Sequence, residues 1–396
     1  MPCLPPEMYD YIFDFLHDDT EALKQGCLVS KLWIPPTRRH LFNHVSFRNA
    51  DHLSAWKKCF PPDLDPVQSP ACYTRSLYFR CAELVTDADS NWIGAFTKVV
   101  RLGVRINPNR GRPNTSLAPF HNLSSTVKFL KLGWNIIRSR VVFDFIRSFP
   151  LLGELHVGGS GCLYDDGVIS PSSSLPVLTG TLVLEPTVAD FVRRLLKLPN
   201  SDLRFRKIVW KVGSRDEEFE PVRDLVERCS NTLEYLDISY CGTSGKPTPF
   251  APSRQVKHLI ASPFSGDRID LSSTKELKEV VFRHAILHPA EVASTLDTIT
   301  SNHESFRLAS LHLPSHYIVP CFLGPKTAAE EMGPKLLVLD CALARLRKLR
   351  PNCVKAIFEV NEGWGKVEHK WIKNHFNRYL PNLMMMEEDL GPILHL

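Results

Sequence analysis

One pair of histidines has a spacing that could support metal chemistry. His284 and His288 lie four residues apart, and two imidazoles at that spacing on one helix face can bind a divalent metal. His284, however, ends a predicted strand, and Pro289 directly follows His288. Surface or loop histidines are therefore the favoured interpretation, and we predict no metal site.

Asp165 and Asp166 could bind a cation, and the glycines around them could approach a phosphate. The segment from Gly158 to Pro176 is rich in glycine, serine and proline, however, which favours a surface loop. The chain also contains no G-x-x-x-x-G-K-[ST] phosphate loop, no G-x-G-x-x-G fingerprint, no G-x-S-x-G elbow and no H-E-x-x-H helix. We therefore predict no catalytic residue and no cofactor, with an enzyme built on a compact α/β domain as an open alternative.

Composition excludes several functional classes. The 396 residues are 43% hydrophobic and 23% charged, which is ordinary for a soluble globular protein. The net charge of +5 is mild and no nucleic-acid-reading motif accompanies it. The eleven cysteines include no C-x-x-C pair, which favours buried free thiols. The start is not basic, and no apolar run reaches the roughly 18 residues of a membrane span. We expect a cytoplasmic and/or nuclear protein that binds neither nucleic acid nor membrane.

An apolar pattern recurs through most of the chain. Writing Φ for an apolar residue, Φ-x-x-Φ-x-Φ recurs with starts 21 to 31 residues apart, a period typical of leucine-rich repeats. The last two apolar positions of each window should point one face of a strand into the core. Weaker copies begin at Thr74 and Thr179. The clear windows are Val99/Leu102/Val104, Val127/Leu130/Leu132, Leu152/Leu155/Val157, Phe205/Ile208/Trp210, Leu233/Leu236/Ile238, Val256/Leu259/Ala261, Leu277/Val280/Phe282, Leu308/Leu311/Leu313 and Leu336/Leu339/Cys341.

Helical periodicity between these windows indicates strand–helix repeats. Apolar stripes with a 3.6-residue period lie within Val142–Phe149, Val188–Leu198 and Val222–Cys229, each just before a strand window. For residues 74–355 we therefore predict an α/β solenoid with a parallel sheet, similar to leucine-rich repeats. A compact α/β domain is the alternative, because its buried parallel strands also read as apolar runs.

The segments around the repeats have different compositions. Residues 48–73 contain a short amphipathic piece followed by prolines, and we predict a linker there. Asn107–Pro119 and Cys241–Pro252 are polar and predict surface loops. Residues 356–396 are predicted to form a C-terminal cap and tail, with a strand at Ala356–Val360 and an amphipathic helix over Val367–Tyr379.

The first 47 residues predict three short helices. Pro5 and Pro6 suit a helix start, and an apolar stripe follows through Met8, Tyr11, Ile12, Phe15 and Leu16. Residues 17–20 end this helix and supply N-cap side chains for a second one, whose buried stripe is predicted to contain Leu23, Cys27 and Leu28. Pro35-Pro36 should begin a last helix, Thr37 to Phe42.

This stretch resembles the F-box, the helical motif that docks on the Skp-type adaptor of cullin-RING ubiquitin ligases. The resemblance depends on Leu4-Pro5, Glu7, Ile12, Leu16, Leu28-Val29-Ser30 and Trp33, and the ending Trp33–Phe42 is similar to F-box proteins of mushroom-forming fungi. It implies an adaptor-binding set of Leu4, Pro5, Ile12, Leu16, Leu28 and Val29, with Trp33 in the motif's own core. Gln25-Gly26 departs from the family, because a mid-helix glycine costs about 1 kcal/mol relative to alanine. An ordinary N-terminal helical cap is the alternative.

The resemblance implies a substrate receptor whose residues 1–47 bind the adaptor and whose repeats hold a client protein. Side chains between the core positions of each strand should line an open, concave face, whose N-terminal half is basic. We therefore expect an acidic or phosphorylated client. The candidate client-binding residues are Phe129, Lys131, His156, Lys207, Lys211, Tyr235 and Asp237. A non-catalytic interaction scaffold unconnected with ubiquitination stays open as an alternative.

Overall fold

The computed structural model describes residues 5–61, 64, 69–82, 85–106, 117–159, 163–164, 177–186, 188–198, 202–212, 219–240, 269–283, 289–300, 307–308, 310–314, 327–349, 355–359 and 382. The chain divides into two compact units. Unit 1 comprises residues 1–178 with 198–202, and unit 2 comprises residues 179–197 with 203–396. Several predictions lie outside the described residues: Leu4, the Asp165-Asp166 pair, His284 and His288, the window Val256/Leu259/Ala261, the predicted loop Cys241–Pro252, most of Asn107–Pro119 and the helix Val367–Tyr379.

Unit 1 begins with three helices, α1 (Pro6–Phe15), α2 (Thr20–Val29) and α3 (Ile34–Leu41). The predicted N-cap of α2 is confirmed, because the Asp19 side chain accepts a hydrogen bond from the Ala22 backbone N–H at 2.9 Å. A short 3₁₀ turn at Lys31–Trp33 leads into α3. That helix starts three residues earlier than predicted, since prolines are tolerated within a first helical turn.

The interior of the three helices corrects two expectations about α2. Gly26 is buried, and a Cβ added there would lie 3.0 Å from both the Phe13 ring and the Thr37 methyl group. The glycine therefore permits close packing of α2 on its neighbours, which offsets its low helix propensity. Leu28, predicted on the buried stripe, is instead 80% exposed, because Leu23 and Gly26 already form the inner face of α2.

The strands of unit 1 form a parallel sheet with helical connections. Its elements after α3 are β1 (His44–Phe47), α4 (Ala50–Cys59), β2 (Ser76–Phe79), α5 (Ser90–Gly94), β3 (Arg101–Ile106), β4 (Phe129–Trp134), β5 (Ile137–Arg138), α6 (Ser139–Arg147), β6 (Glu154–Gly159) and β7 (Leu163–Tyr164). Strands β1, β2, β3, β4 and β6 pair in that order, each parallel to the next. Strands β5 and β7 form a separate parallel pair, so part of the predicted loop after Gly158 is a strand.

The sheet starts earlier in the chain than predicted. Strand β1 pairs with β2, and α4 lies within the segment predicted as a linker. Phe47 of β1 contacts Trp56 of α4 with ring centroids 5.6 Å apart and Phe79 of β2 at 5.1 Å. Residues 44–59 therefore form a strand–helix pair that packs on the next strand, as the later repeats do.

Unit 2 continues the strand–helix alternation. Its elements are β8 (Leu178–Leu184, whose first residue belongs to unit 1), α7 (Ala189–Lys197), β9 (Leu203–Val212), α8 (Phe219–Arg228), β10 (Tyr235–Tyr240), β11 (Glu279–Arg283), α9 (Pro289–Thr300), β12 (Ser310–Pro314), α10 (Thr327–Leu349) and β13 (Lys355–Glu359). The strands are adjacent in the order β8 to β13, and each pair from β9 to β13 is parallel. The chain is thus a mixed α/β protein with parallel strands, as predicted.

The core follows the predicted apolar windows where they fall on strands. In β3, β4 and β6, and again in β9 to β12, the last two apolar residues of each described window are buried. The predicted helical stripes are also confirmed, since α6, α7 and α8 occupy them with their apolar faces buried. The predicted strand at 356–360 is confirmed as β13, which pairs with β12 and extends the sheet beyond its expected end.

The prediction of a strand at Leu336/Leu339/Cys341 is wrong. All three residues lie in helix α10. Cys341 is only half-buried, and the buried set continues with Ala342, Leu343 and Leu346, at intervals of three or four residues. That spacing is the helical period, and the first two positions of the strand window also satisfy it.

Candidate functional site

The outward face of α1 is apolar although the helix also has an apolar inner face. Successive helical residues are 100° apart, so Tyr11 and Phe15 lie on the side of α1 opposite the buried Phe13. Phe13 is 2% exposed and Phe15 72%. A helix that is apolar on both sides is normally covered on both sides. The outward side of α1 is therefore a candidate contact surface.

The last residues of α2 and the following turn expose further apolar side chains. Fifteen large apolar side chains of the described residues are exposed, and seven of them fall between residues 8 and 32. We call these seven the apolar helix surface: Met8, Tyr11, Ile12, Phe15, Leu28, Val29 and Leu32. The Tyr11 and Phe15 rings meet edge to face at 4.9 Å. Clusters of exposed apolar side chains usually mark an interaction site.

The helices beneath this surface are held together by contacts on their inner sides. The Trp33 ring is half-buried and packs on Phe13 at 5.5 Å and on Tyr9 at 6.0 Å. Arg39 of α3 donates a hydrogen bond to Asp14 of α1 at 3.1 Å. The inner contacts thus fix α1 on α3 without covering the outward side of α1.

The residues implied as adaptor-binding have mostly exposed positions. Pro5, Ile12, Leu28 and Val29 are exposed, and Leu16 is half-buried. The apolar helix surface contains four further exposed residues: Met8, Tyr11, Phe15 and Leu32. The sequence indicated the apolar stripe on α1. A single apolar stripe usually faces the protein's own core, so the pattern alone favours burial of these residues. Only the burial of Phe13 on the opposite side of the helix reveals that the stripe is exposed.

A second candidate surface is the face of the unit 1 sheet that points away from its core. Alternate side chains of β3 and β4 lie on this face, and the register pairs Arg101 with Phe129, Gly103 with Lys131, and Arg105 with Gly133. Arg101, Arg105 and Lys131 are exposed. The Arg101 guanidinium carbon lies 4.4 Å from the centre of the Phe129 ring, a cation–π contact. We call Arg101, Arg105 and Lys131 the basic cluster.

On the neighbouring strand β6, the carboxylate of Glu154 and the imidazole of His156 are in contact with each other. Glu154 Oε1 lies 2.7 Å from His156 Nε2, and the His156 ring lies 4.6 Å from the Phe129 ring. Phe129 is half-buried between these groups. The basic character of this face therefore diminishes towards β6.

The corresponding face of unit 2 has charged residues that are engaged with one another. Lys207 Nζ lies 4.2 Å from the centre of the Tyr235 ring, and the Tyr235 hydroxyl donates to Asp237 at 3.2 Å. Lys211 pairs with Glu185 at 2.8 Å. These contacts leave little unbalanced charge, and pairs of this kind near the surface contribute at most about 1 kcal/mol each.

Further along unit 2, Glu234 forms a second compensated group. Lys278 pairs with Glu234 at 2.6 Å and Arg206 at 3.1 Å. The hydrogen bond from Lys278 holds the pKa of Glu234 below its usual range, although burial acts in the opposite direction and Arg206 adds a smaller lowering. Here too the cations are already engaged with an anion, since Lys278 and Arg206 share Glu234.

The structure divides the predicted client-binding residues between the two units. Phe129, Lys131 and His156 lie on β4 and β6 of unit 1, whereas the other four lie on β9 and β10 of unit 2. Asp237 is only 6% exposed. The prediction did not select Arg101 and Arg105, which lie beside Lys131. What distinguishes them is that none of the described carboxylates pairs with them, and no sequence pattern signals that.

Chemistry in the described residues could come from a cluster of metal-ligating side chains or from a reactive thiol. Within that part of the chain, no group of three or more His, Cys, Asp or Glu side chains could hold a metal ion. Burial raises the pKa of the Cys229 thiol to about 11, which keeps it protonated and unreactive. No helix of the described segments is long and apolar enough to cross a membrane.

No protein-family model matches the chain, and no curated protein is significantly similar to it.

Proposed function

We propose that this protein is an F-box substrate receptor of a cullin-RING ubiquitin ligase. The observation that carries the proposal is the apolar helix surface, in which Ile12, Leu28 and Val29 are exposed. These are residues that the resemblance to the F-box assigns to the Skp-type adaptor.

Docking on an adaptor would remove these side chains from water. Burying apolar surface is worth about 25 cal/mol per Å², and large aromatic and aliphatic side chains dominate such interfaces. Phe15 and Leu28, the most exposed of the set, should contribute most. The packing of Trp33 on Phe13, with a small addition from the exposed Arg39–Asp14 pair, keeps α1 in place in the absence of the adaptor.

The strand–helix pairs of both units support the client-binding part of the proposal. We propose that they are degenerate leucine-rich repeats of a solenoid, and that their open strand faces hold an acidic or phosphorylated client. The receptor performs no bond chemistry itself. It raises the effective concentration of a client lysine near the ubiquitin-charged enzyme bound to the cullin scaffold.

Co-purification of the full chain with a Skp-type adaptor tests the proposal. Ile12→Asp and Leu28→Asp should each abolish co-purification, because a charge cannot be buried in an apolar interface without a partner. Leu151→Asp is the matched control, since Leu151 is an exposed leucine of unit 1 outside the apolar helix surface. If the wild-type chain does not bind the adaptor, or if Leu28→Asp binds as well as Leu151→Asp, the proposal is wrong.

A reconstituted ligase separates a receptor from a scaffold. A client captured by the full chain should gain ubiquitin when the adaptor, the cullin scaffold and the charged enzyme are present. The Ile12→Asp chain should capture the same client without its modification. A client that binds the wild-type complex and is never modified would favour the interaction scaffold.

A further inference from the structure

The side chains of the basic cluster converge on strand β4. Arg101 leans over Phe129 at 4.4 Å, and the stem of Arg105 lies beside Gly133, where an added Cβ would be 3.5 Å from Arg105 Cγ. Lys131 lies between Phe129 and Gly133 on the same face of β4. Arg101 and Arg105 are four residues apart on β3, so their Cα atoms are about 13 Å apart, and Lys131 lies opposite the midpoint between them.

Tyr78 lies next to these residues, on strand β2. It faces Gly103, and a Cβ at that position would be 2.1 Å from a Tyr78 ring carbon. The Tyr78 ring therefore occupies the space beside Gly103, on the face of β3 that also carries Arg101 and Arg105. Glycine is required at position 103 because any side chain would displace this ring.

Within the described residues, no carboxylate lies within ion-pairing distance of Arg101, Arg105 or Lys131. Unit 2 differs, since Lys211 has Glu185 and Lys278 has Glu234. Like charges held close together repel one another, and the repulsion is relieved when an anion binds among them. The basic cluster therefore favours an anionic ligand.

We infer that the basic cluster binds a phosphate group carried on a client peptide, an inference that rests on the proposed role in client capture. A phosphate carries about −1.5 to −2 charge at pH 7 and three strong acceptor oxygens. Because arginine side chains are long, the forks of Arg101 and Arg105 can turn from either side toward a phosphate beside Lys131, which contributes a point charge. A single carboxylate has half that charge and only two oxygens.

Single-stranded nucleic acid is the competing anion, and the geometry favours it less. Nucleic-acid sites combine a basic track of several nucleotides with aromatic faces open for stacking. The basic cluster spans two strands, about 5 Å across the sheet, and Glu154 is close to its far side. Phe129 is already in contact with Arg101 and His156.

Fluorescence anisotropy with the full chain tests the inference. The probes are short peptides of degenerate sequence with a fixed central phosphoserine, the same pool with serine or glutamate at that position, and an oligouridine RNA. The phosphoserine pool should bind at least about tenfold more tightly than the serine pool, with the glutamate pool between them. Its affinity should fall as salt is raised.

Charge reversal identifies the residues responsible. Arg101→Glu combined with Arg105→Glu should weaken binding of the phosphoserine pool at least about tenfold. Arg101→Lys with Arg105→Lys should bind with intermediate affinity, because lysine keeps the charge and loses the fork. Lys98→Glu is the control for net charge, since Lys98 is exposed and lies outside the cluster. All these residues are exposed, so the thermal unfolding midpoint should not change.

Three results would overturn the inference: equal binding of the phosphoserine and serine pools, full binding by the double glutamate variant, or RNA that binds more tightly and displaces the phosphopeptides. Adaptor binding measured on the same preparations separates this inference from the proposed function. The double glutamate variant should still bind the adaptor, and Ile12→Asp should still bind the phosphoserine pool. Loss of one activity without the other shows which proposal has failed.

Discussion

The N-terminal helices and the strand repeats differ in how far their apolar side chains are exposed to solvent. In β3, β4 and β6 the apolar residues point inward, and Leu102, Leu130 and Leu155 are all but fully buried. In α1 and α2 several of the largest apolar residues point outward, with Leu28 80% exposed. The repeats therefore enclose their apolar side chains, whereas the helices leave several of theirs exposed to solvent.

The difference has a simple physical origin. A strand–helix repeat covers the apolar face of its neighbour, and each added repeat extends one continuous core. Three helices of eight to ten residues enclose only a small interior, formed mainly around Phe13 and Leu23. Apolar residues beyond what this interior can hold are left on the outside, where a partner can cover them.

The largest effect should come from truncating a side chain in the completed core. Phe145 is 1% exposed and contacts the Phe149 ring at 5.0 Å and the Phe120 ring at 6.0 Å. Phe145→Ala should lower the free energy of unfolding of unit 1 by about 3–5 kcal/mol through lost contacts and an unfilled cavity. Denaturant unfolding monitored by tryptophan fluorescence measures this. Leu151→Ala, at an exposed position, should change it by less than about 0.5 kcal/mol.

A smaller effect should come from filling the close contact inside the helices. Gly26→Val places methyl groups against Phe13 and Thr37, whose atoms lie 3.0 Å from an added Cβ. We expect a loss of about 1–3 kcal/mol, measured as faster proteolysis of the N-terminal helices. Gln25→Val, on the exposed side of α2, introduces the same β-branched side chain without a close contact. It should lower the free energy of unfolding by only about a few tenths of a kcal/mol, which is the difference in helix propensity between the two residues. Equal proteolysis of the two variants would mean that the contact at Gly26 is not limiting.

The repeats also contain an ion pair that should make their stability depend on pH. Burial raises the pKa of Asp89, but hydrogen bonds from Lys57 and Thr86 outweigh it and hold the pKa below the ordinary carboxyl value. The resulting stabilisation is present above the unfolded-state pKa of about 3.9 and is lost as the pH falls through the lower folded-state pKa.

Unfolding free energies measured between neutral and acidic pH check this expectation. Asp89→Asn should be less stable at neutral pH and should lose less stability on acidification than the wild-type chain. Asp51→Asn is a matched control at an exposed carboxylate in the first turn of α4. Parallel pH profiles for the wild-type chain and Asp89→Asn would contradict the assignment.

The smallest effect on stability should come from the apolar helix surface. Phe15→Ser and Leu28→Ser remove exposed side chains and should change the unfolding free energy by less than about 0.5 kcal/mol. Sedimentation of the isolated chain should show less self-association, because less apolar surface is exposed to water. A loss of stability comparable to that of Phe145→Ala would mean that this surface is part of the chain's own core, and would remove the contrast between the two regions.

Much of the fold followed from sequence periodicity, and the exceptions have physical causes. The windows ending in Leu130/Leu132 and Leu236/Ile238 became strands because alternation with a period of two is the pattern of a sheet with one buried face. Leu336 and Leu339 became part of a helix because the buried residues continue at intervals of three and four. Strand β1 was missed although Phe42, Val45 and Phe47 fit the same window, because residues 1–47 were assigned to the N-terminal helical stretch.

The candidate surfaces were predictable to different extents. The stripe on α1 and the basic residues of β3 and β4 are visible in the sequence. The pairing of Lys211 with Glu185, 26 residues away, is not, and neither is the cation–π contact between Lys207 and Tyr235. These partners lie on different secondary-structure elements, and local spacing carries no information about which charges meet.

The sequence by itself determined where the strands and helices lie and which side of each is apolar, because backbone geometry repeats every 2 or 3.6 residues. Only the tertiary structure decided which apolar side is covered and which charges are compensated. Tyr11 and Phe13 are two residues apart, and packing against α2 and α3 buries one and exposes the other. Arg105 and Lys211 are both basic strand residues, and among the residues that the structure describes only Lys211 has a carboxylate from another segment within reach. Burial and charge compensation depend on neighbours that folding brings from distant parts of the chain.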